Sequence, residues 1–245
     1  YFAVVGTRHP TLYGKQTARS FSYKLAKIGF VIVSGLAYGI DAIAHEAALA
    51  AEGKTIAILG SGLDYITPSC NKRLALDIKQ SGSLISEFAH DIRPNATTFP
   101  QRNRIIAGMC CATLIIEAPE RSGALITARF TFEYDRPLFS IPGNINQETS
   151  RGTNRLIRDS MAFPITEFND ILSILDINCG MPEEKNKNLN PKEQTLYDLL
   201  KKSPHSCDDL IQKTGYSMAE INIALLHLEL KNLVLFQDGQ AVITR

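Results

Sequence analysis

Long apolar runs are missing from this 245-residue chain. None approaches the roughly 20 residues that a membrane-crossing helix needs, and no signal-peptide pattern opens it. The start at Tyr1, already inside an apolar strand pattern, is read as the loss of upstream residues; a cytoplasmic protein is expected. Cysteine is scarce and scattered. Cys70, Cys110, Cys111, Cys179 and Cys207 show neither CxxC spacing nor histidine partners at zinc-like intervals, so reduced thiols and no metal are expected. Charge of one sign is also lacking: 26 Lys and Arg stand against 25 Asp and Glu. Residues 190–245 hold six basic and seven acidic side chains, and residues 176–189 two and three, which leaves the first 175 residues at +3. A polyanion site therefore belongs in the first part of the chain and is local rather than a broad basic face.

Familiar catalytic signatures are absent too. The first loop reads GTRHPT, not the G-x-G-x-x-G of a dinucleotide site, and no G-x-x-x-x-G-K-[ST] occurs. No Ser/His/Asp or Cys/His constellation assembles. His45 reads as a structural or surface histidine, and Asp41 as a helix cap more simply than as an acid or base, a role Glu117 could also take. No catalytic residue and no cofactor are expected.

Short apolar segments are what the sequence does have. Phe2–Val5, Val31–Val33, Thr55–Leu59, Leu84–Ile85, Leu114–Ile116 and Leu138–Ile141 are bounded by Gly, Ser or Pro. Most recur at the roughly 25–30 residues that a β-α repeat occupies. Strands apolar throughout need helices on both sheet faces, so the pattern predicts a Rossmann-like, doubly wound, mostly parallel α/β sheet. Helical patterns fall around Tyr23–Ile28, Ala42–Glu52, Asn71–Gln80, Arg129–Tyr134 and Glu167–Leu175. Residues 176–189 lose the apolar period and read as a linker between a first domain, 1–175, and a second, 190–245. There Asn190-Pro191 with Glu193, Ser206 with Asp209 and Ser217 with Glu220 mark three helix starts. An Asp238-Gly239 turn between two apolar runs completes a small winged helix-turn-helix.

In a doubly wound sheet ligands bind beyond the carboxyl ends of the strands. Four loops there are rich in Gly, Ser, Thr and Arg: Gly6–Thr11, Ser34–Asp41, Gly60–Asp64 and Arg121–Thr127. Glycine exposes backbone N–H groups, a helix N-terminus favours an anion, Ser34, Ser122 and Thr127 add hydroxyls, and Arg8 adds a planar cation. Each loop alone is equally well a tight connection; four together favour a phosphate-bearing ligand. Arg102-Asn103-Arg104, at the head of a helix, either grips phosphates in the same crevice or is a solvated helix start. Lys72 and Arg73 open another helix near the third loop, as a further cationic edge or as plain surface.

GTRHPTLYG, SGLAYGIDAIAH, GKTIAILGSGLD, LISEF, FPQRNRIIAGM, IEAPERSGALITA and IPGN followed by GTNRLI run in the order found in the DprA (Smf) family of DNA-processing proteins, which residues 2–165 resemble nearly throughout. The resemblance implies single-stranded DNA binding without catalysis, protection of incoming DNA during natural transformation, homodimerisation and loading of the RecA recombinase. By motif it assigns DNA contacts to Arg8, Ser34, Gly35, Arg102, Asn103, Arg104, Ser122 and Gly123. Tyr38 departs from the family's usual Arg, and Tyr65–Asn71 loosens a compact YP-x-x-N pattern, where Lys72 or Arg73 could compensate. Two rivals stand beside this reading. A nucleotide phosphoribohydrolase of the lysine-decarboxylase-like group lacks its PGGxGT loop here. A winged-helix transcription regulator is disfavoured by Met218–Lys231, whose only Lys or Arg is Lys231, beside Glu220 and Glu229. That helix is expected to serve protein contact or weak auxiliary binding.

Overall fold

Burial on both faces turns the apolar segments into a parallel sheet. In this computed structural model, which describes residues 1–177, 189–201, 203–231, 233–237 and 240–243, the chain divides into two compact units, Tyr1–Gly180 and Met181–Arg245. Most of the expected linker, Cys179 and the Asp238-Gly239 turn lie outside the described residues. In the first unit β1 (Phe2–Val5), β2 (Ile32–Ser34), β3 (Thr55–Ile58), β4 (Ser83–Ile85), β5 (Ala112–Ile115), β6 (Leu138–Ser140) and β7 (Phe163–Pro164) pair in the order β4-β3-β2-β1-β5-β6-β7. All neighbours are parallel, Phe2 pairing with Ile32 on one side and Ala112 on the other.

Alternate residues of each strand feed opposite cores, as a pleated strand requires. Phe2, Val4, Ile32, Leu114 and Phe139 pack under α1 (Leu12–Lys27), α2 (Ile40–Ala50) and α7 (Phe168–Ile174). Ala57 and Leu59 meet α3 (Lys72–Ser81) and residues of α2. Ala3, Val5, Val33, Ile58 and Ile115 face α4 (Thr98–Met109), α5 (Gly123–Glu133) and α6 (Arg151–Arg158). The result is the expected doubly wound, Rossmann-like layer structure.

Several boundaries differ from the sequence pattern, each for a local reason. Helix α5 starts at Gly123 rather than near Arg129, because the Ser122 hydroxyl caps it by accepting the Ala124 N–H (3.2 Å). Helix α4 starts at Thr98, where the Asn95 side chain receives the N–H groups of Thr97 (2.9 Å) and Thr98 (3.0 Å). Arg102 and Arg104 therefore sit one turn inside the helix, not at its head, on opposite sides of it. Helix α6 and strand β7 carry too short a pattern to be legible. Of the apolar residues near the end of the unit, Leu156 enters the core, Met161 packs on it, Ile157 is half-buried, and Phe163 lies exposed on the edge strand.

The second unit is a winged helix. Its helices α8 (Pro191–Leu200), α9 (Cys207–Thr214) and α10 (Met218–Leu230) each begin at a reciprocal capping box, built on Asn190, Ser206 and Ser217. Gly215, at φ 72°, ends α9 in the left-handed conformation that glycine favours. Strands β8 (Val234–Gln237) and β9 (Gln240–Ile243) pair antiparallel, and His205 bridges to Ala241. Leu196, Leu200, Leu210, Ile221, Leu225, Leu228 and Val234 form its core.

Candidate functional site

The sheet order reverses at β1, which has β2 on one side and β5 on the other, so the loops leaving β1 and β5 diverge. A cleft of about 730 Å³ opens there. Its walls are Gly6–His9 after β1, Ala37 and Asp41 from the β2 loop, one side of α4 and the Pro119–Thr127 region after β5. This is the crevice at which doubly wound sheets hold ligands.

The first loop is largely closed on a carboxylate of the protein itself. Glu117, at the end of β5 and 2% exposed, accepts the Thr11 N–H (2.9 Å), the Thr11 hydroxyl (2.6 Å) and the Thr149 hydroxyl (3.2 Å). Thr7 donates its N–H to the Glu117 carbonyl (2.7 Å). The glutamate thus occupies the anion-favouring N-terminus of α1. Gly14 permits it, since a β-carbon there would lie 2.2 Å from the carboxylate.

The second loop closes on Asp41. The Gly35 N–H donates to this carboxylate (3.1 Å), and the Ala37 N–H also serves it. Burial lifts the Asp41 pKa above the usual carboxylate range, against the pull of Arg102 and those amides. Arg102 is itself buried. Its guanidinium donates to the carbonyls of Gly35 (2.7 Å) and Ile58, and its Nε to Asn103 Oδ1 (3.1 Å). Burial lowers its pKa to about 10, with Asp41 opposing and Arg8 adding to the fall, so it stays charged at neutral pH. Gly35 makes room for this, because a β-carbon there would lie 2.5 Å from Arg102 Nη2. The Ser34 hydroxyl, expected to face a ligand, donates to the Val4 carbonyl instead (2.7 Å).

The third loop lies beneath the chain that follows β4. Gly62 N–H donates to the Ile92 carbonyl (2.8 Å), the Ser61 hydroxyl to the Tyr65 carbonyl (2.6 Å), and the Ser86 hydroxyl to the Ser61 carbonyl (2.6 Å). It does not line the cleft. The fourth loop does. Gly123, the first residue of α5, is exposed with open space beside it, flanked by Ser122, exposed Arg121 and the buried Thr127. Asn103 ties this turn to α4 by donating to the Gly123 carbonyl (3.2 Å).

Two exposed arginines complete the rim: Arg8, whose guanidinium stands 5.7 Å from the centre of the Phe99 ring, and Arg121. Of the sequence-assigned residues, Arg8, Arg102, Asn103, Ser122, Gly123 and Thr127 meet in one cleft. Ser34 and Gly35 lie buried behind it. Lys72, Arg73 and Arg104 lie outside its lining, Arg73 paired with Asp77 (3.3 Å) and Arg104 with Glu87. Arg121, in the fourth loop, and Phe99, in the first turn of α4, line the cleft without having been assigned to it from the sequence. The signal was available for Arg121, which directly precedes the N-cap Ser122.

A doubly wound sheet with an arginine-rimmed cleft at its switch point, in one chain with a winged helix, defines a Rossmann-like protein of two units. More specifically, the family model for DNA recombination-mediator protein A matches residues 1–176 and that for the DprA winged helix domain residues 181–240, and the chain belongs to this family. It is 38% identical to Protein Smf of Escherichia coli over 97% of this chain and 66% of that protein, and 34% identical to Protein Smf of Synechocystis over 96% and 68%. The chain thus spans about two thirds of these curated relatives. Among solved structures, DNA processing protein A of Streptococcus pneumoniae is 41% identical at TM-score 0.65, over 70% of this chain and 60% of that one. DNA processing protein A of Helicobacter pylori, described for its single-stranded DNA binding mode, is 37% identical at TM-score 0.66, over 71% and 79%. A molybdenum cofactor binding protein of Rippkaea orientalis, 15% identical at TM-score 0.53, shares the fold alone.

Proposed function

We propose that this chain binds single-stranded DNA in the switch-point cleft and holds it without cutting it. The observation that carries the reading is the meeting of Arg8, Arg121 and the open N-terminus of α5 around one cleft with an aromatic wall at Phe99. Guanidinium groups and helix N–H groups fit phosphates, and an aromatic face suits an unpaired base. The two carboxylates of these loops are already engaged, Asp41 by the amides of Gly35 and Ala37, Glu117 by threonines. Neither is poised as an acid or base toward the cleft. Arg102 and Asn103 act beneath the surface, setting the floor and the α5 turn, while Ser122, Gly123 and Thr127 form the phosphate side.

The single-stranded DNA binding of the Helicobacter pylori relative, a family neighbour at 37% identity, supports the same polymer here. Protection of incoming DNA, work in the cytoplasm with RecA as partner, and homodimerisation rest on family membership, and a first domain of 1–175 followed by a 176–189 linker is the matching organisation. The test is a titration of oligo-dT and of duplex DNA across a salt series. Single-strand affinity should exceed duplex affinity, and its logarithm should fall linearly with log salt. Unchanged affinity in Arg8→Ala and Arg121→Ala, with the fold intact, would refute the site.

A further inference from the structure

Helix α1 carries charge of one sign only. Its 16 residues hold Lys15, Arg19, Lys24 and Lys27 and no Asp or Glu. The first 175 residues stand at +3, so without these four cations that stretch sums to −1. Exposed arginines on other helices of the unit are matched by acids: Arg73 by Asp77, Arg104 by Glu87 and Arg129 by Glu133. Those of α1 are not. Among the described residues Lys15, Lys24 and Lys27 have no ion-pair partner, and Arg19 has only Glu46 of α2 at 3.6 Å. Both of those side chains are at least half exposed, so the pair contributes little. The helix macrodipole accounts for Lys24 and Lys27, which lie in the last turn. It does not account for Lys15 and Arg19, nearer the positive end. Lys15, Arg19, Tyr23 and Lys27 follow one i, i+4 ridge, with steps of about 6 Å and a span of about 18 Å along the axis. All four are exposed, while Gly14, Ala18, Ser22 and Leu25 turn to the core. Tyr23 stands in line with the cations, and Lys27 Nζ lies 5.6 Å from the centre of its ring.

We propose that this ridge is a second nucleic-acid tract, along which a single strand continues after it leaves the switch-point cleft. The inference rests on DNA binding in that cleft and extends its path. Arg8 and His9 stand on the cleft wall, and α1 begins at Leu12, so the two surfaces adjoin. The connection is held in place, with Thr7 donating its N–H to the Glu117 carbonyl (2.7 Å) and Thr11 its N–H to the Glu117 carboxylate (2.9 Å). Three cations with a ring among them fit successive phosphates and a stacked base. The ridge is one helix wide, and its step of about 6 Å exceeds the rise of about 3.4 Å per phosphate along a duplex strand. It therefore suits a backbone drawn out without pairing.

The test is fluorescence anisotropy of the full chain with oligo-dT of two lengths, about 4 nucleotides to stay in the cleft and about 20 to reach along α1. The triple variant Lys15→Ala/Arg19→Ala/Lys27→Ala puts a strong helix former at exposed positions, so circular dichroism should not change. It should bind the short strand as wild type does and the long strand at least about ten-fold more weakly at low salt. The salt slope for the long strand should become shallower by about 2, close to 0.7 for each cation removed. The chain has no tryptophan, so Tyr23→Trp supplies a single reporter, which the long strand should quench and the short one should not. Wild-type affinity of the triple variant for the long strand, or equal quenching by both lengths, would overturn the tract. Loss of duplex binding alone would also overturn it and assign the ridge to a different polyanion. Arg8→Ala separates this inference from the cleft itself: it should weaken both lengths, and no effect at either would remove the cleft reading, whatever the triple variant does.

Discussion

Arg8, Arg102 and Arg104 look alike in sequence and have different work in the structure, because depth decides what a guanidinium does. Arg102 is 5% exposed and donates to the buried carbonyls of Gly35 and Ile58, so Arg102→Ala leaves both acceptors without this donor and removes the cation that favours the Asp41 carboxylate. It should lower unfolding free energy by about 2–5 kcal/mol, read as a fall in the urea midpoint. Gly35→Ala pushes a methyl into the same guanidinium and should cost about 1–3 kcal/mol in that assay. Arg8→Ala should leave the midpoint unchanged and reduce the salt slope of oligo-dT binding by about 0.7. His45 is a second buried group that the sequence left undecided. The Thr55 hydroxyl donates to the Ile32 carbonyl (2.7 Å), so His45 Nδ1 donates to Thr55 (2.6 Å) and Nε2 is left without a partner. Burial, with a lesser push from Arg102, lowers its pKa from 6.5 to about 3. The unfolded chain then takes up a proton that the folded one refuses. Stability should fall as pH drops from about 6.5 toward 3, by up to about 1.4 kcal/mol per unit, and the difference between the wild-type and His45→Gln unfolding curves measures it.

Whole helices behave differently from what their leading residues promise. A helix N-terminus attracts an anion, but α1 has already received Glu117 and the turn before α2 has folded round Asp41. Helix α5 presents an open first turn to the cleft, at Gly123. Gly123→Glu places a carboxylate on that turn without a steric clash, and should weaken oligo-dT binding by at least about ten-fold, with a change in thermal midpoint of only a degree or two. Ser122→Ala tests the cap separately, at about 1 kcal/mol of stability. A midpoint collapse in Gly123→Glu, or binding equal to wild type, would show that the turn is not the phosphate side. The Arg102–Arg104 segment teaches the same lesson from the other direction. An Asx turn at Asn95 moves the helix start upstream, and the 3.6-residue period then sends one arginine inward and the other out to Glu87.

At the scale of the molecule, the near-zero net charge conceals an uneven distribution between the two units. The first carries the positive excess and the cleft; the second carries exposed Ile223, Leu226 and Leu230 along α10. Salt dependence should follow. With two or three phosphates engaged in the cleft, the slope of log affinity against log salt for short single strands should lie near −1.5 to −2, well short of a broad basic face, as fluorescence anisotropy at several ionic strengths would show. The alternation of apolar segments with helical ones, and the three capping boxes of the second unit, were enough by themselves to determine a doubly wound sheet and a winged helix, since strand burial and helix starts depend on neighbours a few residues apart. Which polar groups face the cleft was decided only in three dimensions. Ser34 and Val4, Gly35 and Arg102, and Thr11 and Glu117 are 30, 67 and 106 residues apart along the chain. Each pairing withdraws a donor or a charge from the site. A hydrogen bond across such a separation depends on where the sheet brings the partners together, and no local pattern carries that information.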